Sequence, residues 1–389
     1  MEGPAQVSTA REVSPTVNLL YSEVEEDLRT QVRALLADRC PPEALLARVE
    51  TDSVHDPALW RLLADGIGVA GLSVPEELGG AGATWSETAL VLEELGRAAA
   101  PVPYLGSSVL ATAALLAAGD TRILPAVASG QRIAALAVPF AIWPGYGLPG
   151  SVRETGGRLD GTVPGVADAL AADVLLVPAT GPDGPGLYAV ELSCAGRAVD
   201  RRSVTSLDLT RPLADVVLMS APATAVAVGA DAERAVEQAL VTGAALLPSE
   251  QLGVAQWCLD TTVAYVKERH QFGRPIGSFQ AVKHRLADLW VLVAQARAVA
   301  RNAAAALSAD SVTMRTEVAV AQAFSSEAVV EVAEEALQLH GGIGFTWEHP
   351  VHLYLKRAKS TALALGTADR HRAALGSLAD LPGAVTTRP

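Results

Sequence analysis

Residues 268–285 read ERHQFGRPIGSFQAVKHR, an island of Arg, His, Gln and Phe around Gly273, Pro275 and Gly277. It sits between stretches made almost wholly of Ala, Val and Leu. Upstream, TTVAYVKERH is spaced as a helix that ends near Arg269. A second helix is expected from Phe279 or Gln280, with Leu286, Leu289, Val293, Ala296 and Ala300 as its buried stripe. The island has two readings. Its Arg and His can simply complement the negative end of a helix dipole. Alternatively, with Gln280, His284 and the cluster Gln338-Leu339-His340-Gly341-Gly342-Ile343-Gly344-Phe345, it can present a guanidinium, amides and a glycine turn to a phosphate-bearing ligand, while Phe272 packs on a flat ring.

Working outward, the fold reads as α+β in three parts. Ser22 and Glu25 form a capping box ahead of Val24, Leu28, Val32 and Leu35, so a helix starts there. Helix, Gly-rich turn and helix follow through residue 100, and Val109 to Ala118 adds another helix. Residues 17–129 are thus expected to form an N-terminal helical domain. Between 130 and 223 short runs such as IAALAV, RLDGTV, DVLLVPA, GLYAVEL and ADVVLM alternate with Gly/Pro turns, which predicts a small β-barrel or sheet domain. Helical spacing returns from Ala232, giving a C-terminal domain resembling a four-helix bundle over 224–379. The tails 1–16 and 380–389 carry no folding pattern and are expected to be disordered. Strands and helices are segregated rather than alternating, which narrows the fold without naming a function.

The chain has 389 residues, 50% of them hydrophobic, and a net charge of −13. That balance argues against nucleic acid as a partner, because no basic surface exists to neutralise phosphates. Its three cysteines, Cys40, Cys194 and Cys258, have neither metal-site spacing nor the even count of a disulfide framework, so a reducing cytoplasm is expected and no metal. No run approaches ~20 uninterrupted apolar residues, so no membrane span is expected.

ERHQFGRPIGSFQAVKHRLADL and QLHGGIGFTWEHP strongly resemble the two C-terminal signatures of the acyl-CoA dehydrogenase family of flavoproteins, and VAGLSVPEELGGAGATWSETALVLEELGR resembles its N-terminal helix-turn-helix stretch. The resemblance runs from about residue 20 to 378. It implies removal of two hydrogens from the α and β carbons of an acyl-CoA, FAD as hydride acceptor, and an electron-transfer flavoprotein as the next acceptor. It also implies an FAD lying across a subunit interface. Carried over by position, Arg269, Gln271, Phe272, Phe279, Gln280, Gln338, Leu339, Gly341 and Gly342 would contact a neighbouring chain's cofactor.

Two departures qualify that implication. Most of the family carries its catalytic Glu in a YEGT segment, where this chain reads LALGTADR and has Leu365. A minority places the Glu on an earlier helix, and the aligned position here is about Gly243. Glu250, seven residues on, is a weak candidate that reads more simply as a helix-surface carboxylate. His371 and Asp369 read as solvent-facing. In the β domain, where the family has a hydroxyl-bearing loop and a WIT-like strand, this chain has Gly165 and Ala167, neither able to donate a side-chain hydrogen bond. Trp143 could stack on a ring but reads as packing. The pattern resembles the non-catalytic partner in actinobacterial α2β2 acyl-CoA dehydrogenases, some of which act on steroid side-chain CoA thioesters. The alternatives are a self-sufficient homotetrameric dehydrogenase with an atypical base, a flavin monooxygenase of the same fold, and a scaffold that binds no flavin.

Overall fold

The computed structural model describes residues 19–51 and 53–379; the expectations for the two tails lie outside the described residues. The N-terminal part contains α1 (Glu23–Arg39), α2 (Pro42–Val49), α3 (Pro57–Arg61), α4 (Trp85–Arg97), α5 (Thr112–Ala118) and α6 (Leu124–Ala128). The expected capping box opens α1: Glu25 N–H donates to the Ser22 hydroxyl, and the Glu25 carboxylate accepts from Ser22 N–H at 2.7 Å. A second one, Thr84 with Glu87, opens α4. Residues 105–111, ahead of α5, are π-helical.

The sheet follows: β1 (Ala134–Leu136), β2 (Val152–Thr155), β3 (Arg158–Ala167), β4 (Val174–Gly181), β5 (Gly184–Glu191), the short α7 (Leu192–Ala195), β6 (Val199–Val204), β7 (Leu213–Pro222) and β8 (Thr224–Val228). Its order is β6-β7-β3-β2-β4-β5-β8, with β1 parallel to β4 off that path. The apolar runs expected as strands form β1, β3, β4, β5 and β7. The strands not among those runs are β2, β6 and β8, and the latter two are the edges; on β6, VDRRSV, solvent exposure removes the hydrophobic signal.

Four long or medium helices complete the chain: α8 (Ala230–Glu268), α9 (Gln280–Ser308), α10 (Met314–His340) and α11 (Val351–Thr361), followed by α12 (Ala368–Leu378). A small hairpin, β9 (His270–Gln271) with β10 (Arg274–Pro275), joins α8 to α9. The expected stripe on α9 is buried at Leu289, Val293, Ala296 and Ala300 and half-buried at Leu286. The core continues unbroken from α1 through α4 and α8 to α11. Crossing helices α4 and α8 approach so closely that a Cβ on Gly96 would lie 2.1 Å from the Glu250 carbonyl oxygen, and one on Gly253 would lie 1.9 Å from that of Glu93. Glycine at both crossing points lets backbone pack on backbone.

α8 carries Pro248 in its interior. Proline has no N–H to give the carbonyl four residues back, here Ala244, and an orphaned buried carbonyl is costly. Gln322 of α10 supplies the missing donor, its Nε2 lying 2.8 Å from the Ala244 oxygen. A 39-residue helix, ~58 Å at 1.5 Å per residue, thereby survives an internal proline.

Among the described residues, no helix is long and apolar enough to cross a membrane.

Candidate functional site

The opening island forms one corner of the helical bundle. α8 stops at Arg269, whose backbone turns extended. Phe272 and Gly273 then take φ of 54° and 77°, two successive left-handed residues that close the β9–β10 hairpin. A left-handed Phe is strained, and this one is 91% exposed; its ring meets Phe279 edge-on at 6.1 Å. Holding a large apolar side chain in an unfavourable backbone well and out in solvent is a feature worth a functional explanation. The Arg274 guanidinium covers Phe279 at 3.9 Å, and Gln280 starts α9. Gln271 donates to the His270 carbonyl at 2.9 Å.

The second cluster lies at the same corner. The His340 ring stacks on Tyr265 of α8 at 4.6 Å, which places the end of α10 beside the last turn of α8. Gln338 is exposed, Leu339 half-buried, and Gly341 and Gly342 lie in an exposed turn where an added Cβ would touch nothing. The side chains of Arg269, Gln280 and Gln338 make no hydrogen bond or ion pair among the described residues. His340 gives its Nδ1–H to the Ala336 carbonyl at 2.7 Å, while Nε2 is buried without a partner. Its ring faces His349 at 4.4 Å. Burial first, then the neighbouring His340 and His352, pushes His349 down to about 4, so this turn is built on neutral imidazoles.

A cleft of about 1180 Å³ opens between the sheet and α10–α12. Phe140, Pro164 and Leu213 form one wall, and Val330 and Leu363 the other; Gly165 lies on the sheet side. Ala167, two residues on, is buried.

Leu365 is fully buried, with φ of 53°. Its N–H donates to the Phe140 carbonyl at 2.9 Å and its carbonyl accepts from His371 Nε2 at 3.0 Å. Its side chain and that of Leu110 occupy the space over Gly243: a Cβ there would lie 2.8 Å from Leu365 Cδ1 and 2.5 Å from Leu110 Cδ2. The two family positions for a proton-accepting carboxylate are thus neighbours in space, and hydrocarbon fills the room between them.

Two side-chain readings need correction, those of Glu250 and His371. Glu250 is not on the helix surface; it is 1% exposed. Arg211 Nη2 reaches one carboxylate oxygen at 2.6 Å and Arg357 Nη1 the other at 2.9 Å. Burial raises its pKa, but the two guanidiniums outweigh burial and hold the carboxyl below its ordinary value. Arg357 also pairs with Asp208 at 2.6 Å and donates to the Thr210 hydroxyl at 2.6 Å. Two cations and two anions therefore balance in a dry site tying the β6–β7 loop to α8 and α11. His371 is buried rather than solvent-facing, because it caps the Leu365 carbonyl; Asp369 is exposed as read. Trp143 is half-buried, edge-on to Tyr146 and under Arg370, and so belongs to the packing of α12. The network around Arg357 had no sequence signal, since VHLYLKRAKST has the composition of a surface helix. The need for Gln322 did have one: a proline inside a helical pattern demands a substitute donor.

The two halves of the site differ in their fit to a flavin dinucleotide. The corner offers an uncommitted guanidinium, two uncommitted amides and an open glycine turn, the donor set a pyrophosphate accepts. In the cleft Gly165 has no donor side chain, and Ala167, buried behind it, has none either. Its walls carry Asp215, Glu327, Glu331, Glu334 and Asp369 against Lys359. That lining does not fit a dinucleotide.

The order helices, sheet, helices is the architecture of the acyl-CoA dehydrogenase fold. Residues 22–131 match the acyl-CoA dehydrogenase N-terminal domain and residues 229–377 the C-terminal domain, and the chain belongs to the acyl-CoA dehydrogenase family, oxidoreductases acting on CH–CH bonds whose members bind FAD. It is 41% identical over 346 residues to the acyl-CoA dehydrogenase IpdE2 of Mycolicibacterium smegmatis, covering 89% of this chain and 95% of that one. Among solved structures, it matches the ChsE4-ChsE5 complex from Mycobacterium tuberculosis at 32% identity and a TM-score of 0.82, over 94% of this chain and all of that one. The Tcur3481-Tcur3483 steroid ACAD matches at 33% identity and a TM-score of 0.81, over 92% and 98%.

Proposed function

We propose that this chain is the non-catalytic subunit of a heteromeric FAD-dependent acyl-CoA dehydrogenase, clamping a flavin whose ring and proton-accepting carboxylate belong to a homologous partner in an α2β2 assembly. The observation that carries the reading is the hydrocarbon seal of Leu110 and Leu365 over Gly243. Abstraction of an α-proton needs a carboxylate at hydrogen-bonding reach, and Glu250, the nearest candidate by sequence, has both oxygens bound to arginines. This is also why a self-sufficient dehydrogenase is not favoured.

When bound, FAD would supply the hydride acceptor. Arg269 would pair with its pyrophosphate, Gln280 and Gln338 would donate to neighbouring oxygens, Gly341 and Gly342 would let backbone N–H groups approach, and Gln271, Phe272, Phe279 and Leu339 would pack around the adenosine. Electrons would pass onward to an electron-transfer flavoprotein in the cytoplasm. The likeness to a solved steroid ACAD supports a steroid side-chain CoA thioester as the substrate.

The test is expression alone and with a homologous dehydrogenase subunit, reading flavin absorbance per protomer. The lone chain should be colourless and the pair should carry one FAD per heterodimer. Arg269→Ala should weaken the FAD affinity of the pair about tenfold, the effect of losing one charge-assisted contact of roughly 1.5 kcal/mol, and lower its flavin content after dialysis. A yellow lone chain that oxidises an acyl thioester would end the reading. So would a heteromer whose flavin content ignores Arg269→Ala.

A further inference from the structure

The cleft between the sheet and α10–α12 is large and built, yet its lining does not suit the family's cofactor. We propose that it receives an apolar small molecule bearing a cationic or hydrogen-bond-donating group, anchored on Glu331. The volume, about 1180 Å³, lies somewhat above the ~300–1,000 Å³ of drug-sized ligand sites. The walls are apolar on both sides: Phe140, Pro164 and Leu213 face Val330 and Leu363. Two leucines at the mouth, Leu207 and Leu363, are each 58% exposed, uncovered by any of the described residues, an apolar rim of the kind that marks a ligand groove.

The charges decide which apolar molecule fits. α10 lines the cleft with Glu327, Val330, Glu331 and Glu334, positions three and four apart that share one helix face. Three of the five lining carboxylates have a cation beside them. Glu327 and Asp369 both pair with Arg372, and Glu334 pairs with Lys359 at 2.5 Å. Asp215 accepts the Gly165 N–H at 2.9 Å. Glu331, in the middle of the wall, has neither an ion pair nor a hydrogen bond among the described residues. An anion entering this cleft meets the unpaired carboxylates of Asp215 and the exposed Glu331, which is unfavourable. A cation or an N–H or O–H donor meets a free acceptor. The occupant is therefore neither a CoA thioester nor a dinucleotide. It is neutral or positively charged.

Three dyes of similar size test this on the isolated chain: ethidium, a planar apolar cation with amino donors; Nile red, neutral; and anilinonaphthalene sulfonate, an anion. Ethidium should bind at one site per chain, Nile red more weakly and the sulfonate least. Glu331→Gln should weaken ethidium about fourfold, as expected for one partly exposed ion pair, and leave Nile red unchanged. Leu363→Trp, at an exposed position that tolerates bulk, should weaken both by narrowing the mouth. Val330→Trp should block the cleft outright. Sulfonate binding as tight as ethidium, or ethidium binding indifferent to Glu331→Gln and Leu363→Trp, would overturn the proposal, as would the absence of any bound dye. The proposal stands on the cleft alone. If FAD instead displaced ethidium from the isolated chain, the non-catalytic reading would fall as well, so the two failures are distinguishable.

Discussion

Leu365 holds a left-handed backbone that costs a non-glycine residue roughly 1–3 kcal/mol, and two backbone hydrogen bonds hold it there. Its fully buried side chain offsets that strain. Leu365→Gly should relieve the backbone yet open a cavity worth ~2–5 kcal/mol, so urea unfolding should register a net loss of about 1–3 kcal/mol; a gain would mean that strain dominates packing. Leu365→Glu should not create activity toward an acyl thioester, because the carboxylate would be forced against Leu110 with no partner. Glu250 is the opposite case. Glu250→Gln leaves Arg211 and Arg357 with only Asp208 to balance two buried cations and should cost about 3–5 kcal/mol. Its depressed pKa makes the native contribution fully present above the unfolded value, near 4.3, and lost as pH falls through the lower folded value. The variant should therefore show a flatter acid limb than the parent. Neither burial was legible in the sequence. A Glu two positions after a helical proline and a His in a polar stretch carry the same letters whether they face water or a buried arginine, and only the tertiary neighbours decide.

At the level of elements, helices were legible where their apolar spacing was long, as on α9, and strands were legible where both faces are covered, as on β4. The exposed edge strand β6, VDRRSV, was not, because an edge strand carries charge where a central one carries Val or Ile. The joint between α8 and α10 allows a direct test. Gln322→Leu should leave the Ala244 carbonyl unsatisfied and cost ~1–3 kcal/mol in urea unfolding. In a Pro248→Ala background, where residue 248 regains an N–H to reach that carbonyl, the same substitution should cost less than half as much. Equal losses in the two backgrounds would show that the glutamine does something other than replace the proline's missing donor.

For the whole molecule, the acid response should begin earlier than carboxylates alone would give. Burial lowers His340, His349, His352 and His371, with His349 and His352 each at about 4. Unfolded histidine binds its proton near 6.5, so between about 6.5 and 4 the unfolded chain takes up protons that the native one refuses. Stability is full above that window and falls as pH drops through it. Thermal melts from pH 8 to 4.5 should decline from about pH 6.5; a flat profile down to pH 5 would contradict the neutral-imidazole turn. The order of helices, sheet and helices was legible from segregation of patterns along the chain. The joining of the two polar clusters at one corner was not, since spacing cannot say that Tyr265 meets His340.

The strained, solvent-facing Phe272 at the hairpin tip also bears on handling of the protein. An aromatic residue held outward in an exposed hairpin offers chymotrypsin the side chain it selects once the hairpin opens locally, and a single cut there would sever α8 from α9. A lone chain should be cut at this bond by brief digestion, releasing residues 273–389, while the same bond should survive once a second subunit lies over the corner. The lifetime of that peptide bond under protease would therefore report on assembly without any need to see a flavin.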